Sequence, residues 1–309
     1  MSRAFVFPGQ GAQTIGMGHA LAKVYPAAKA VFDEVDEALG EKLSQLIWEG
    51  DISDLTLTAN AQPALMATSL AALRALEAEG VSLDDVAFVA GHSLGEYSAL
   101  AAAGALGISD AARLLRIRGR AMQEAVPVGE GAMAAILGLD FDAVSSVAAD
   151  AAQGAVCQAA NDNDPAQVVV SGHKAAVERA VEIATARGAK RALLLPVSAP
   201  FHCALMQPAA DRMAAALADV TLNAPRVPLV ANVRAQAVSD PESIRALLVE
   251  QVTGAVRWRD SVVWMAAQGV TEFWEIGAGK ALSGMIKRSA AGSATRNFGA
   301  PADIAALHD

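Results

Sequence analysis

The pentapeptide Gly91-His92-Ser93-Leu94-Gly95 constrains the fold more than any other segment of this sequence. The apolar run at 86–90 predicts a buried strand before it, and residues 94–103 predict a helix directly after it. A serine between such a strand and such a helix sits on a sharp, strained turn that projects its hydroxyl above a sheet. The flanking glycines let the strand and the helix approach closely, because neither carries a Cβ atom. The motif therefore predicts an α/β fold with a serine hydroxyl presented at a strand end.

The surrounding sequence alternates between strand and helix patterns, which is typical of a mostly parallel sheet. An apolar run at 4–7 stops at Pro8-Gly9 and predicts a buried strand that enters a loop. Helical patterns follow at 20–39 and 63–79, and a further helix is predicted at 109–124 with Ser109 as its N-cap.

Residues 127–197 have an order of their own. Strands are predicted at 132–137, 155–159, 167–170 and 191–197, helices at 140–151 and 174–187, and a polar turn at 161–165. This βαββαβ order is that of a ferredoxin-like sheet, and Pro127 and Pro196 bracket it. We predict a ferredoxin-like small subdomain at 127–197, inserted into a large α/β subdomain formed by 1–126 and 198–309. A ligand site is expected between the two.

Composition excludes several classes of protein. Apolar residues make up 53% and charged residues 18%, as in globular proteins, and the net charge of −9 disfavours non-specific binding to nucleic acid. Cys157 and Cys203 form no CxxC pair, which argues against a disulfide framework or a zinc site and suits a reducing cytoplasm. Residues 1–10 lack the pattern of a secretory signal, and the Ala-rich stretch at 98–106 is too short to span a bilayer. We expect a soluble cytoplasmic protein without a metal.

A serine hydroxyl is a weak nucleophile and needs a general base. His202 lies in a turn directly after a predicted strand, where a base can be presented. His92 adjoins Ser93, but adjacent side chains diverge, so His92 is expected to buttress the turn. The other three histidines are expected to be solvated: His19, His173 and His308. Cys203 has no comparable turn and is expected to be a buried thiol.

The predicted helix at 109–124 carries four arginines, Arg113, Arg116, Arg118 and Arg120. Only Arg118 has apolar residues at every position three and four residues away, so it alone is placed on the apolar face. A guanidinium there requires an anion. Two interpretations stay open: an internal ion pair with an Asp or Glu, or a bidentate clamp for a substrate carboxylate.

Together these features resemble the malonyl-CoA:acyl carrier protein transacylase family over nearly the whole chain. Short segments in a specific order carry the resemblance: Phe7-Pro8-Gly9-Gln10-Gly11-Ala12-Gln13, Gly91-His92-Ser93-Leu94-Gly95-Glu96-Tyr97, Arg118 with Gly119 and Met122, Asn161, Pro200-Phe201-His202, Gln251 and Glu275-Ile276-Gly277. The resemblance implies that Ser93 takes a malonyl group from malonyl-CoA, with His202 as general base. The malonyl group then passes to the phosphopantetheine thiol of acyl carrier protein in a ping-pong exchange. It further implies an α/β-hydrolase-like large subdomain, no cofactor and a monomer.

The resemblance also implies roles for single residues. A carbonyl of Gln251 would orient His202 in place of the acid of a hydrolase triad, and backbone N–H groups of Gln10 and Leu94 would form the oxyanion hole. Arg118 would pair with the free malonyl carboxylate and exclude acetyl groups. Four further residues would line the substrate site: Met122, Asn161, Phe201 and His92. The bulk of Phe201 favours malonyl over methylmalonyl.

Three alternatives are weighed against this reading. An α/β-hydrolase esterase would need an acid between Ser93 and His202, but Asp162 and Asp164 fall in the predicted turn of the small subdomain. A nucleotide-binding or scaffold protein is disfavoured, since Gly277-Ala278-Gly279-Lys280 lacks the first glycine and the Ser/Thr of a P-loop. An acyltransferase that serves a polyketide synthase stays open.

An acidic carrier would need a basic patch on this acidic chain. The candidates are Arg113, Arg116, Arg120, Lys190 and Arg191.

Overall fold

The computed structural model describes residues 2–307. Within this range the chain forms ten strands: β1 (Ser2–Phe7), β2 (Val86–Gly91), β3 (Gly131–Leu137), β4 (Cys157–Asp164), β5 (Gln167–His173), β6 (Arg191–Leu194), β7 (Leu229–Ala231), β8 (Gln236–Val238), β9 (Val270–Ile276) and β10 (Ala294–Phe298). The α-helices of the same range are α1 (His19–Val24), α2 (Pro26–Leu39), α3 (Leu43–Glu49), α4 (Ile52–Thr56), α5 (Thr58–Ala78), α6 (Gly95–Ala102), α7 (Ile108–Glu124), α8 (Phe141–Ala152), α9 (Lys174–Ala186), α10 (Gln207–Ala218), α11 (Pro241–Thr253), α12 (Trp258–Ala267), α13 (Ala281–Ser289) and α14 (Pro301–Ala305). None of these helices is both long enough and apolar enough to cross a membrane.

The larger sheet has the order β10-β9-β1-β2-β7-β8. Its strands are parallel, except that β8 runs antiparallel to β7. Successive residues of β1 point to opposite faces: Phe5 and Phe7 join a core shared with α2, α5, α6, α7 and α10, whereas Ala4 and Val6 join one shared with α12 and α13. Because both faces are covered, the strands read as continuous apolar runs.

The carboxyl ends of β1, β2, β7 and β9 meet at one edge of this sheet. Pro8, the turn with Ser93, Asn232 and Gly277 follow directly after these four strands. In open α/β sheets ligands bind at this edge. The topology therefore places the serine where a site is expected.

The smaller sheet spans residues 131–194, has the strand order β4-β5-β3-β6 and is antiparallel throughout. Helices α8 and α9 pack on one of its faces around a separate apolar core. The predicted order strand-helix-strand-strand-helix-strand is confirmed.

The predicted polar turn at 161–165 is wrong, because residues up to Asp164 continue β4 and the turn lies at 165–166. The side chains that suggested a turn have partners in the larger unit, by which we mean the larger sheet with its covering helices. The smaller unit is the smaller sheet with α8 and α9. Asp162 accepts from Arg259 at 2.8 Å, and Asp164 accepts from Arg288 at 2.8 Å. Asn161 bridges to Val256, and two register shifts in β4 accommodate these contacts. Tertiary partners have overridden the local turn propensity.

The helix boundaries differ from the predicted ones at three places. Pro26 starts α2 and separates it from α1, so the pattern at 20–39 is two helices. Helix α5 begins at Thr58 and contains Pro63, whose missing N–H leaves the Ala59 carbonyl to accept from Arg116 at 2.8 Å instead. Ser109 is not an N-cap, since α7 begins one residue earlier and Ser109 donates to Glu34.

Candidate active site

A cavity of about 470 Å³ lies between the two units, lined by the loop after β1, the turn after β2, helices α7 and α13, and the smaller sheet. The predicted site residues that line it are Gln10, His92, Ser93, Leu94, Arg118, Met122, Asn161, Phe201 and His202. Gln251 lies behind Ser93 and is fully buried. The structure thus brings all the predicted site residues together around one cavity.

The turn at Ser93 is strained and tightly packed. Ser93 has φ +54°, in the left-handed region that residues other than glycine rarely adopt. A Cβ atom on Gly91 would lie 1.9 Å from the Gly95 carbonyl carbon, and one on Gly95 would lie 2.3 Å from the Phe7 carbonyl oxygen. Both glycines are therefore required by the close approach of β1, β2 and α6.

Asn232, at the end of β7, fixes this turn from behind. Its Oδ1 accepts from the Ser93 N–H at 2.8 Å, and its Nδ2 donates to the Gly91 carbonyl at 2.7 Å. The side-chain amide replaces the backbone partners that the sharp turn cannot supply. The strained conformation is thus held by side-chain contacts.

His202 lies within hydrogen-bond distance of Ser93. The distance from its Nε2 to Ser93 Oγ is 2.8 Å, and its Nδ1 lies 2.9 Å from the backbone carbonyl oxygen of Gln251. A carbonyl can only accept, so Nδ1 carries the proton and Nε2 is free to accept the Ser93 hydroxyl. Burial, assisted by the positive charge of Arg118, lowers the pKa of His202 to about 3, which keeps the imidazole neutral.

Arg118 is 1% exposed, and its guanidinium points at the serine. Its Nη1 donates to Gln62 Oε1 at 2.8 Å, and its Nη2 donates to Gln251 Oε1 at 2.8 Å and to Ser93 Oγ at 3.1 Å. Within residues 2–307 no carboxylate forms an ion pair with it, and its Nε has no hydrogen-bond partner. Burial lowers its pKa. The internal ion pair is therefore not found.

The N–H groups of Gln10 and Leu94 lie beside the cavity, and neither donates to another group of residues 2–307. Leu94 also precedes α6, whose N-terminus carries a positive dipole end. A Cβ atom on Gly9 would lie 2.7 Å from the His92 carbonyl oxygen, so glycine lets the loop after β1 approach the turn. Gln10 and Leu94 thus line the cavity with backbone N–H groups that have no hydrogen-bond partner within residues 2–307.

His92 connects the turn to the smaller unit. Its Nε2 lies 2.9 Å from Asn163 Oδ1, and its ring packs at 5.9 Å on Trp258. Burial lowers the pKa of His92, so the ring is neutral. His92 thus links the turn after β2 to the end of β4 and also lines the cavity.

Sequence reasoning missed Asn232, Gln62 and Glu96. Glu96 is 1% exposed and accepts from the Gln251 side chain and from the Asn232 N–H, the latter at 3.4 Å. Burial raises the pKa of its carboxyl to about 7. Its place directly after the pentapeptide was a signal, whereas nothing local marks Gln62 or Asn232.

The remaining predicted residues lie apart from the cavity. His19 stacks on Trp48 at 4.6 Å, His173 accepts from the Val156 N–H at 3.0 Å, and His308 lies outside the described residues. Cys157 and Cys203 are free and buried.

The placement of Arg118 as the one inward arginine of α7 is wrong, since Arg116 is also buried, at 8% exposure. It donates to Ala59, Asn60 and Glu41. The interpretation of Arg116 as part of an exposed basic patch is therefore wrong as well.

Comparison with known proteins shows extensive likeness. The acyl transferase domain family matches residues 4–295. The malonyl CoA-acyl carrier protein transacylase of Escherichia coli K12 is 50% identical over 92% of each chain. That of Bacillus subtilis 168 is 51% identical over 92% of this chain and 89% of the relative.

Two solved structures are also similar to this chain. The acyl-carrier-protein-S-malonyltransferase of Bartonella henselae superposes with a TM-score of 0.97 at 56% identity, over 100% of this chain and 99% of that one. A malonyl-transacylase in complex with a type II polyketide acyl-carrier protein gives 0.96 at 42% identity, over 99% of this chain and 98% of that one. The likeness thus covers both sheets and the cavity between them.

Proposed function

The chain belongs to the acyl transferase domain family, and we propose that it moves a malonyl group from malonyl-CoA to the phosphopantetheine thiol of acyl carrier protein in fatty acid biosynthesis. One observation carries the proposal: a serine hydrogen-bonded to a neutral histidine lies 3.1 Å from a buried arginine that has no carboxylate partner within residues 2–307. The serine and the histidine perform acyl transfer, and the arginine selects an acyl group that carries a carboxylate.

In the first half-reaction the Ser93 hydroxyl gives its proton to His202 Nε2 as Oγ attacks the thioester carbon of malonyl-CoA. The carbonyl oxygen becomes an oxyanion, and the N–H groups of Gln10 and Leu94 are placed to donate to it. Collapse breaks the carbon–sulfur bond, and the departing thiolate of CoA takes the proton from His202. The product is a malonyl ester on Ser93.

The second half-reaction reverses these steps with a new thiol. The carrier's phosphopantetheine thiol gives its proton to His202, and its sulfur attacks the ester carbon. The second oxyanion uses the same two N–H groups, and Ser93 Oγ leaves with the proton from His202. The backbone carbonyl of Gln251 holds the imidazole in the required tautomer through both halves.

Arg118 exchanges one partner during this cycle. In the free protein its Nη2 donates to Ser93 Oγ, and on acylation the malonyl carboxylate offers it an anion. An acetyl group would leave the buried guanidinium without an anion, so it is disfavoured. Met122, Asn161 and Phe201 shape the rest of the cavity, and the bulk of Phe201 favours malonyl over methylmalonyl.

The same proposal covers the division of the chain. Residues 127–197 form a ferredoxin-like small subdomain, and 1–126 with 198–309 form an α/β-hydrolase-like large one. The antiparallel strand order β4-β5-β3-β6 supports the first assignment, and the turn after β2 in a mostly parallel sheet supports the second.

The chemistry needs no resident cofactor, since both acyl acceptors are thiols and the protein supplies the nucleophile. We place the protein in the cytoplasm as a monomer, with malonyl-CoA and acyl carrier protein as partners; its free buried thiols suit a reducing compartment. The acidic carrier would dock on the basic side chains that the structure leaves exposed, Arg113, Arg120, Lys190 and Arg191.

A second candidate is delivery of malonyl groups to a polyketide carrier, which the likeness to the complex with a polyketide acyl-carrier protein favours. Turnover with fatty acid and polyketide carriers, compared at equal concentration, separates the two. An esterase is not supported, because within residues 2–307 His202 Nδ1 meets a backbone carbonyl in place of an acid.

The proposal is tested by intact-mass measurement after mixing the protein with malonyl-CoA. A malonyl adduct is expected on the native protein and none on Ser93→Ala. Addition of carrier protein should discharge the adduct to the carrier thiol. An adduct that persists on Ser93→Ala, or one that only hydrolyses in the presence of carrier, would refute the mechanism.

A further inference from the structure

A buried guanidinium and a buried carboxyl group lie behind Ser93 without touching each other. Arg118 and Glu96 are each 1% exposed, and within residues 2–307 neither forms an ion pair. The side-chain amide of Gln251 lies between them, since its Oε1 accepts from Arg118 Nη2 at 2.8 Å and its Nε2 donates to Glu96 Oε2. Burying two ionisable groups without a direct ion pair between them costs free energy.

Arg118 and Glu96 together fix the orientation of this amide. Its oxygen faces the guanidinium donors and its NH₂ faces an acceptor oxygen of the carboxyl group; a flipped amide would set donors against the guanidinium and an acceptor against the carboxyl oxygen. The other acceptors near Nε2 are neutral: the Ser93 carbonyl at 2.9 Å and Asn232 Oδ1 at 3.4 Å. Within residues 2–307, Glu96 is therefore the one carboxyl acceptor on the NH₂ side.

The amide also sets what Arg118 can still bind. A carboxylate directly on the guanidinium would neutralise it and compete with the carboxylate of a substrate. Instead both protein acceptors that hold its terminal nitrogens from behind are amide oxygens, those of Gln62 and Gln251 at 2.8 Å each. They fix its position without placing an anion in direct contact with it.

We propose that Glu96 is a positioning residue for acyl-group selection, which acts through the Gln251 side chain to hold the Arg118 guanidinium facing Ser93. This inference rests on the proposed malonyl transfer. It assigns to Gln251 a second duty besides its backbone carbonyl, namely to transmit the orientation set by Glu96. Glu96 itself touches neither the acyl group nor the reacting atoms.

The test compares the rates at which malonyl-CoA and acetyl-CoA acylate Ser93, followed by intact mass in single turnover. Glu96→Met removes the acceptor at similar volume and is expected to lower the malonyl-to-acetyl rate ratio by about tenfold or more. Glu96→Gln keeps an acceptor oxygen and should hold the ratio within about threefold of the native value. Asp36→Leu, which removes another buried carboxylate far from the cavity, should lower thermal stability and leave the ratio unchanged.

A double-mutant cycle isolates the route. Gln251→Met keeps the backbone carbonyl that orients His202 and should lower the ratio as Glu96→Met does. The double variant should be no worse than the larger single, because both act through one contact chain. An unchanged ratio in Gln251→Met, or losses that multiply in the double variant, would overturn the inference. If Glu96→Met does not fold, Gln251→Met and Glu96→Gln decide it: a loss in the first together with retention in the second supports the inference, and any other pair of results overturns it.

Arg118→Ala, measured alongside, separates this inference from the proposed function. If it keeps the preference for malonyl, the carboxylate clamp is wrong and the role of Glu96 falls with it. If Arg118→Ala loses the preference while Gln251→Met retains it, only the role of Glu96 is wrong.

Discussion

Ser93 and His202 both adopt a backbone conformation that is unusual for residues other than glycine. Both hold positive φ, at +54° and +58°, and their side chains meet at 2.8 Å. For Ser93 the strain comes from the sharp turn between the strand and the helix. His202 keeps its conformation with Nδ1 at 2.9 Å from the Gln251 carbonyl oxygen and Nε2 beside Ser93 Oγ.

The pH dependence of acylation should report the buried state of His202. Its pKa is lowered to about 3, so the neutral base persists well below the value of 6.5 expected for an exposed histidine. The rate of malonyl adduct formation at pH 5 should therefore stay within about twofold of the rate at pH 7. Stopped-flow acylation in a buffer series of constant ionic strength measures this. A rate that falls with a midpoint near 6.5 would contradict the assigned environment.

Among the elements, the segment β1–β2–α6 was predictable nearly to the residue, whereas the end of β4 was not. The first carries its signals locally, in apolar runs and glycines. The second combines Asn161, Asp162, Asn163 and Asp164, residues typical of turns, with strand geometry. Only their partners in α12, α13 and the turn at Ser93 explain it, and such long-range contacts leave no trace in local sequence.

The packing of the β2–α6 turn makes Gly91→Ala a severe change. Its Cβ would lie 1.9 Å from the Gly95 backbone, so the strand and helix must separate. We expect a loss of about 3 kcal/mol or more in the free energy of unfolding and no measurable acylation. Gly284→Ala is the matched control, because it lies in α13, its nearest contact is 3.5 Å away and alanine favours the helix. Urea unfolding compares the two; equal stabilities would refute the packing argument.

At the scale of the whole molecule, β4 joins the two units and thereby defines the cavity. The carboxylates of Asp162 and Asp164 are about 2% and 1% exposed, and Arg259 and Arg288 reach them from the larger unit. Prolines in the sequence predicted where the smaller unit begins and ends, but not how it is attached. The attachment includes these two ion pairs, the contact between His92 and Asn163, and a backbone bridge at Asn161.

Removing the arginines should loosen this attachment. Arg259→Gln and Arg288→Gln each leave a buried carboxylate without its cation, and we expect about 1–2 kcal/mol of destabilisation apiece, since both arginines are partly solvated. Hydrogen exchange in β4 should rise in the same variants. Arg212→Gln breaks an ion pair exposed on both sides and should change stability by less than about 0.5 kcal/mol. Unchanged exchange in β4 would show that these two ion pairs do not hold the units together.

The pH dependence of the stability of the whole chain should reveal two buried groups, His202 and Glu96, whose pKa values are shifted in opposite directions. The folded pKa of His202, about 3, lies below its unfolded value of 6.5, so the unfolded state binds the extra proton between these values. Stability from this group is present above pH 6.5 and falls with acidification by at most about 1.4 kcal/mol per pH unit. His202→Asn should therefore gain stability relative to the native protein as the pH falls from 6.5 to 4.5.

Glu96 should behave in the reverse sense, because its folded pKa of about 7 exceeds its ordinary value of 4.5. Its stabilising contribution is present below pH 4.5 and is lost as the pH rises through 7. As the pH rises from 4.5 to 7, Glu96→Gln should then gain stability relative to the native protein. Over the same interval His202→Asn should lose the stability advantage that it has at low pH. Urea unfolding at half-unit pH steps resolves the two opposed slopes. Parallel curves for the native protein and both variants would mean that His202 and Glu96 titrate alike in the folded and unfolded chain. In that case neither group would be held in the desolvated state from which its pKa shift arises.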